Sequence, residues 1–271
     1  PAVIGQVTGR RTRGYRPGDI SRGYRGAEEV CSVGADTPPA IAGDEAVLIA
    51  RHAQCPVWVG RDRSAAATQL IAANPDVNVL ISDDGLQHYR LQRDCELVVI
   101  NARQQFGNRL LLPAGPLREP MSRLQSVDGA VVNGGDLPGL PVGTYAMRLQ
   151  GDEFCNLVDP AITSSPDDFD AMRLHAVAGI GDPERFFAHL RGLGLSFTPH
   201  PFPDHHAFRP RDLNFTDADA VLMTQKDAIK CVRFARENWW ALPVEARIDE
   251  SLVDLVSRKI GSDTGYQGTS D

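Results

Sequence analysis

The chain has 271 residues, a formal net charge of −7, 42% hydrophobic and 23% charged residues, proportions ordinary for a globular protein with ample sequence for a core. The negative balance argues against general nucleic-acid binding, and Cys31, Cys55, Cys95, Cys155 and Cys231 lack the spacing of a disulfide framework or zinc site, which fits reduced thiols. No apolar stretch approaches the roughly 20 residues that span a bilayer, and no signal-peptide pattern is present.

An arginine cluster opens the chain: Arg10, Arg11, Arg13, Arg16, Arg22 and Arg25. It suits phosphate groups, an anionic bilayer or a solvated helix face equally well. The helical pattern there is weakened by Gly5 and Gly9, at about 1 kcal/mol each against Ala. Strands are expected at Gly18 to Ser21, Val57 to Val59, Val77 to Ile81, Leu97 to Ile100 and Gly129 to Asn133. Leu124 to Val127 lies between a helical turn and the last of these. Gly43-Asp44-Glu45 heads a helix through Ala46 to Ala50, and Asp62 or Ser64 caps another that begins Ala65-Ala66-Ala67.

Strands alternating with helices predict a parallel α/β sheet, with a first domain over 1–147. Residues 134–141 read as a loop from their Gly and Pro content. A smaller α/β domain is expected over 148–260. Its markers are a strand from Leu174 to Ile180, Asp182 and Pro183 at a helix start, core residues Phe186, Phe187 and Leu190, and a strand from Ala220 to Thr224. Residues 261–271 are polar and are expected to form a disordered tail.

The segment Ser82-Asp83-Asp84-Gly85-Leu86-Gln87-His88-Tyr89 carries the most chemistry. A buried parallel strand that delivers two carboxylates to its C-terminal end and turns at Gly suits a magnesium carboxylate in a nucleotide-binding α/β sheet. Asp residues capping a strand-end turn give the same dipeptide. Adjacent carboxylates repel, so a cation or Arg beside them is expected.

That segment stands in order with others: Ile20-Ser21-Arg22-Gly23-Tyr24, Gly43-Asp44-Glu45, Val59-Gly60-Arg61-Asp62-Arg63, Leu111-Leu112-Pro113-Ala114-Gly115-Pro116-Leu117-Arg118-Glu119-Pro120, Phe202-Pro203-Asp204-His205-His206 and Thr224-Gln225-Lys226-Asp227-Ala228. In this order and spacing they closely resemble tetraacyldisaccharide 4'-kinase, the lipid A 4'-kinase of Gram-negative bacteria, from Pro1 to about Val244. The resemblance implies a P-loop NTPase-like parallel sheet flanked by helices, with a second smaller α/β domain. It implies ATP and Mg2+ as cofactors, and transfer of the γ-phosphoryl to the 4'-hydroxyl of a tetraacylated disaccharide 1-phosphate, giving lipid IVA. The place it implies is the cytoplasmic face of the bacterial inner membrane. Membrane attachment would be peripheral, through an N-terminal segment outside this sequence, and no nucleic acid is a partner.

By the same resemblance, Asp44 is the general base, Glu45 lies near magnesium, and His205 pairs with Asp44. Asp83 is a metal ligand, and Asp83 and Asp84 face the nucleotide. Arg118 and Glu119 form an active-site pair, in which Arg118 holds the migrating phosphoryl group or the substrate's own phosphate. Lys226 and Asp227 help fix the nucleotide base, while Tyr24, Arg63, Gln87 and His88 contact substrate. From the residues alone, helix capping explains Gly43-Asp44-Glu45, a surface ion pair explains Arg118-Glu119, and a strand-to-helix turn explains Lys226-Asp227. The sequence departs from the family pattern at Arg25, Asn101, Gln104-Gln105 and Gln225. Arg25 matters most, because a Gly position needing positive φ would be strained by Arg. Pro1 matches the last residue of the family's Gly-Gly-Thr-Gly-Lys-Thr-Pro loop, and Gly5 to Thr12 does not replace that loop. The chain is therefore expected to be a fragment that binds ATP poorly. Two other readings stay open: an inactive fold that binds lipid disaccharide, and a metal-dependent hydrolase.

Overall fold

The apolar segments pair largely as their pattern dictates in the computed structural model, which describes residues 14–23, 29–53 and 55–261. Strands β1 (Pro17–Ser21), β2 (Cys31–Ser32), β3 (Val57–Val59) and β4 (Val79–Ser82) form a four-stranded sheet in the order β2-β3-β1-β4. In it β3, β1 and β4 run parallel, and β2 is antiparallel to β3. Val77 is left out of β4 because its amide bonds Asn74 O, closing a turn after the helix Arg63–Ala73. Asp62 caps that helix, accepting from the amides of Ser64 and Ala65.

Strands β5 (Leu97–Asn101), β6 (Gly129–Asn133), β7 (Thr144–Gln150) and β14 (Glu245–Ile248) form a second sheet, ordered β14-β7-β6-β5. The remaining strands are β8 (Phe154–Asn156), β9 (Thr163–Ser164), β10 (Leu174–Ala178), β11 (Phe197–Pro201), β12 (Ala220–Thr224) and β13 (Trp239–Leu242). They form a six-stranded sheet ordered β11-β10-β12-β13-β8-β9, with a parallel block from β11 to β13 and β8 returning antiparallel to β13. β10 and β12 are buried along their whole length, as parallel strands covered on both faces require. Phe186, Phe187 and Leu190 of the helix Pro183–Gly192 pack with Leu174, Ala176, Ala178 and Leu222 in the core of this sheet. Pro183 stands at the first helical turn as expected, whereas Asp182 occupies the N-cap without a side-chain bond.

Contacts divide the chain differently from the expected cut at residue 147. That cut falls inside β7. Among the described residues, one compact unit comprises 84–150 and 245–261 with 14–16, and the other comprises 17–83 and 151–244. The reason is that β14 returns to pair with β7, and the helix Glu250–Gly261 contributes Leu252 and Val256 to the core under β6 and β7. The expected tail begins at the last residue of that helix, and 262–271 lie outside the described residues.

Candidate active site

Helix geometry, a positive-φ glycine and a left-handed histidine bring the first set of site residues together in the unit built from Pro17–Asp83 and Gly151–Val244. Gly43 has φ 86 and forms the N-cap of the helix Asp44–His52, a conformation that Gly adopts without a Cβ penalty. Asp44 and Glu45 therefore fill the first helical turn, where the positive end of the helix dipole favours carboxylates. Asp44 is only 5% exposed. His205 Nδ1 lies 3.1 Å from both Asp44 oxygens, so the ring donates from Nδ1 into the carboxylate. The His205 backbone is left-handed, with φ 57, and its amide donates to Asp204 Oδ1 at 2.9 Å.

A strand-to-helix turn closes this set. Thr224 ends β12 and caps the helix Gln225–Cys231, accepting from the Asp227 amide. Asp227 is fully buried, and its Oδ2 accepts from Gly179 N at 2.8 Å and Thr224 Oγ1 at 2.6 Å. A Cβ at Gly179 would stand 3.1 Å from Asp227 Oδ1, so a side chain there would press on that carboxylate by a few tenths of an ångström. Lys226 Nζ sits 3.0 Å from Glu45 Oε1 and 3.4 Å from Asp204 Oδ1. Burial weighs most against its charge, but Glu45, Asp44 and Asp204 together hold its pKa above the ordinary value. Lys226 and Asp227 are thus engaged with the protein's own groups. Gln225, where a family Glu is expected, bonds His52 Nε2 through its amide at 2.8 Å. His206, beside His205, turns instead to Asp212 Oδ2 at 3.2 Å and to the rings of Phe202 and Phe208.

Asp83 stands half-buried at the end of β4, and its amide bonds Ile20 O at 3.1 Å. Its charge acts on Asp19, a fully buried carboxyl on β1 whose two oxygens have no hydrogen-bond partner among the described residues. Burial above all, then Asp83, raises the Asp19 pKa well above the carboxylate range, against the pull of Arg63. Arg63 itself is 4% exposed, which makes it a buried cation at the start of its helix. Asp19 was not among the expected site residues, because the short run Pro17–Ser21 holds only one large apolar residue and does not announce that its carboxylate is buried.

The second set lies in the other unit. Asp84 holds φ 49, and Arg118 Nη1 reaches both its oxygens, at 2.6 and 2.7 Å. Arg118 thus pairs with Asp84 and not with neighbouring Glu119, which supplies the cation expected beside the acidic pair. Gln87 spans the set, with Oε1 3.4 Å from Arg118 Nη1 and Nε2 donating to Glu119 Oε2 at 3.0 Å. Tyr89 donates its hydroxyl to Glu119 Oε1. Burial raises the Glu119 pKa, but bonds from Tyr89 and Gln87, with the charges of Arg123 and Arg93, outweigh it and leave the carboxyl below its ordinary value. Arg93 Nη1 donates to the carbonyls of Gly85 and Leu86, fixing the turn after the acidic pair. His88 Nδ1 is buried without a hydrogen-bond partner among the described residues. Tyr24 and Arg25 lie outside the described residues.

The structure therefore joins Asp44, Glu45, His205, Lys226 and Asp227 in one set and Asp84, Gln87, Arg118 and Glu119 in another. A model of the family described as tetraacyldisaccharide-1-P 4'-kinase matches residues 1–261. The chain is 46% identical over 261 residues to the tetraacyldisaccharide 4'-kinase of Methylobacillus flagellatus, covering 96% of this chain and 77% of that protein. It is 49% identical over 255 residues to the enzyme of that name from Nitrosococcus oceani, covering 93% of this chain and 73% of that one.

The chain belongs to the tetraacyldisaccharide 4'-kinase family.

A solved member of this family, the "apo" form of LpxK from Aquifex aeolicus in complex with ATP, superposes with a TM-score of 0.75 at 25% identity, over 94% of this chain and 82% of that one. The expected α/β class is thus the class of the family, and membership replaces the metal-hydrolase reading. Among the described residues no group of three or more His, Cys, Asp or Glu is arranged to hold a metal ion. Magnesium bound with nucleotide needs only one or two protein carboxylates, because phosphates and water complete its octahedron. Glu45, 55% exposed, and the half-buried Asp83 offer the hard oxygen donors that fit this requirement. No described helix is long and apolar enough to cross a membrane.

Proposed function

We propose that this chain carries the catalytic residues of a kinase that moves the γ-phosphoryl of ATP to the 4'-hydroxyl of tetraacyldisaccharide 1-phosphate, yielding lipid IVA at the cytoplasmic face of the inner membrane. The observation that carries the reading is the buried Asp44 carboxylate with His205 Nδ1 at 3.1 Å from each oxygen. A sugar hydroxyl is a poor nucleophile until its proton is taken, and a fixed carboxylate steered by an imidazole suits that task. Asp44 accepts the proton and is neutralised as the hydroxyl oxygen attacks phosphorus, and His205, donating from Nδ1, orients the carboxylate for that transfer. Arg118 offers a planar set of donors to phosphate oxygens when Asp84 releases it, and Glu119 with Gln87 fixes the turn from which it projects. Asp83 and Glu45 would hold magnesium, which when bound neutralises the β- and γ-phosphate oxygens. Arg63 and His88 remain substrate contacts on the family resemblance, and peripheral membrane attachment follows from the lipid nature of the acceptor.

The test is phosphorylation of the lipid disaccharide from radiolabelled ATP, with the chain alone and with the chain joined to a family-type phosphate-binding loop. Asp44→Asn and His205→Ala are each expected to lower kcat by about a hundredfold or more, with KM for ATP changed by less than about threefold. Wild-type kcat in either variant rejects the assigned roles.

A further inference from the structure

The helix Gln225–Cys231 places Lys226 and Lys230 one turn apart on the same face, and both ammonium groups reach toward Asp44. Their side chains are 17% and 10% exposed, so each charge has lost most of its water and depends on protein partners. Lys230 serves a bracing role: its Nζ is 2.7 Å from Asp227 Oδ1, 3.9 Å from Asp44 Oδ2, and 5.1 Å above the ring of Phe208. Lys226 is placed differently. Its Nζ lies 3.0 Å from Glu45 Oε1, 3.4 Å from Asp204 Oδ1 and 3.8 Å from Asp44 Oδ2. It therefore touches the immediate chain neighbour of each member of the Asp44–His205 pair.

Asp204 Oδ1, which Lys226 contacts, is the oxygen that also accepts the His205 amide at 2.9 Å. That bond matters because His205 holds a left-handed backbone, with φ 57, that a non-glycine residue keeps only when its surroundings hold it there. Asp44, Glu45 and Asp204 would repel one another without a cation among them. Lys226 is committed to these three carboxylates of the protein itself.

We infer that Lys226 is a positioning residue for phosphoryl transfer, tying the turn that carries His205 to the helix start that carries Asp44. This rests on the kinase reading above. With Lys226 in place, the proton-accepting pair keeps its geometry; without it, the Asp204-His205 turn drifts from Asp44, and displacement on the order of 1 Å costs up to about a hundredfold in rate.

Two measurements separate this inference from the kinase reading itself. Hydrogen exchange on the chain should show the amides of residues 204–206 exchanging about tenfold faster in Lys226→Met than in wild type, with protection largely restored in Lys226→Arg. Asp204→Asn, which removes the other end of the same contact, should loosen the same amides, and it stands in if Lys226→Met does not fold. In the kinase assay, Lys226→Met should lose about tenfold or more in kcat with KM for ATP held within about twofold, and Lys226→Arg should recover most of it. Unchanged exchange in the loop, or a raised KM for ATP with kcat retained, overturns the inference, the latter returning Lys226 to the nucleotide. If no form of the wild-type protein phosphorylates the acceptor, the kinase reading falls and the exchange data alone decide whether Lys226 positions His205.

Discussion

Two carboxylates with basic side chains beside them sit in opposite environments. In the Asp44 set, the carboxylate is 5% exposed, its histidine 20%, and the attendant lysines 17% and 10%. In the Asp84 set, Arg118 and Asp84 are 57% and 61% exposed, although their 2.6 Å contact is the shorter one. Distance alone therefore ranks them wrongly. A buried pair must keep its partners because water cannot replace them, while an exposed pair exchanges with solvent at little cost. The first arrangement suits groups that must not move during proton transfer, and the second suits an arginine that must let go of an aspartate to take a phosphate.

The largest effect that would sharpen this contrast is expected at Asp227. Asp227→Ala strips Lys230 of its 2.7 Å partner and leaves Gly179 N without its acceptor, all in the interior. Urea unfolding should show a loss of about 3–5 kcal/mol; a loss under about 1 kcal/mol would mean that burial does not govern this set.

A smaller effect is expected from an imidazole pair in which His175 is buried and His200 half-buried. His175 Nδ1 and His200 Nε2 are 2.9 Å apart, with His175 Nε2 3.4 Å from Asp217 Oδ1 and Phe215 stacked on both rings. Burial first, then His175, lowers the His200 pKa from 6.5, with Asp217 opposing. The fold thus favours neutral His200, so its contribution is fully present above the ordinary imidazole value and is lost as pH falls through the lowered one. Urea midpoints between pH 7.5 and 5 should decline less steeply on the acid side for His200→Gln than for wild type. An identical slope would remove His200 from the acid response.

The smallest effect belongs to the exposed pair. Arg118→Ala should change unfolding stability by no more than about 1 kcal/mol, and the same urea titration checks it. A loss as large as that at Asp227 would break the comparison outright.

Much of the fold was legible locally. Val57–Val59, Gly129–Asn133 and Ala220–Thr224 appear with the limits their apolar runs suggest, and Asp62 caps the helix that its Asp-Arg-Ser step announces. Such features depend on neighbours a few residues away, which a sequence displays directly. The short strands β2, β8 and β9 carry too few residues for a pattern, and β14 declares itself only by pairing with β7 across the chain. The interleaving of the two units was hidden for the same reason.

The site divides likewise. The sequence by itself determined which groups are available: a carboxylate pair after a strand, Asp44 at a helix start, His205 in an Asp-His-His step, and the ordered motifs that place the chain in its family. Tertiary structure decided the partners. His205 meets Asp44 across 161 residues and Lys226 meets Glu45 across 181, while Arg118 passes over adjacent Glu119 to bind Asp84. Local propensity reaches along the backbone for a turn or two, whereas charge acts through space and is strengthened where the fold excludes water. Only the folded chain settles where that exclusion occurs.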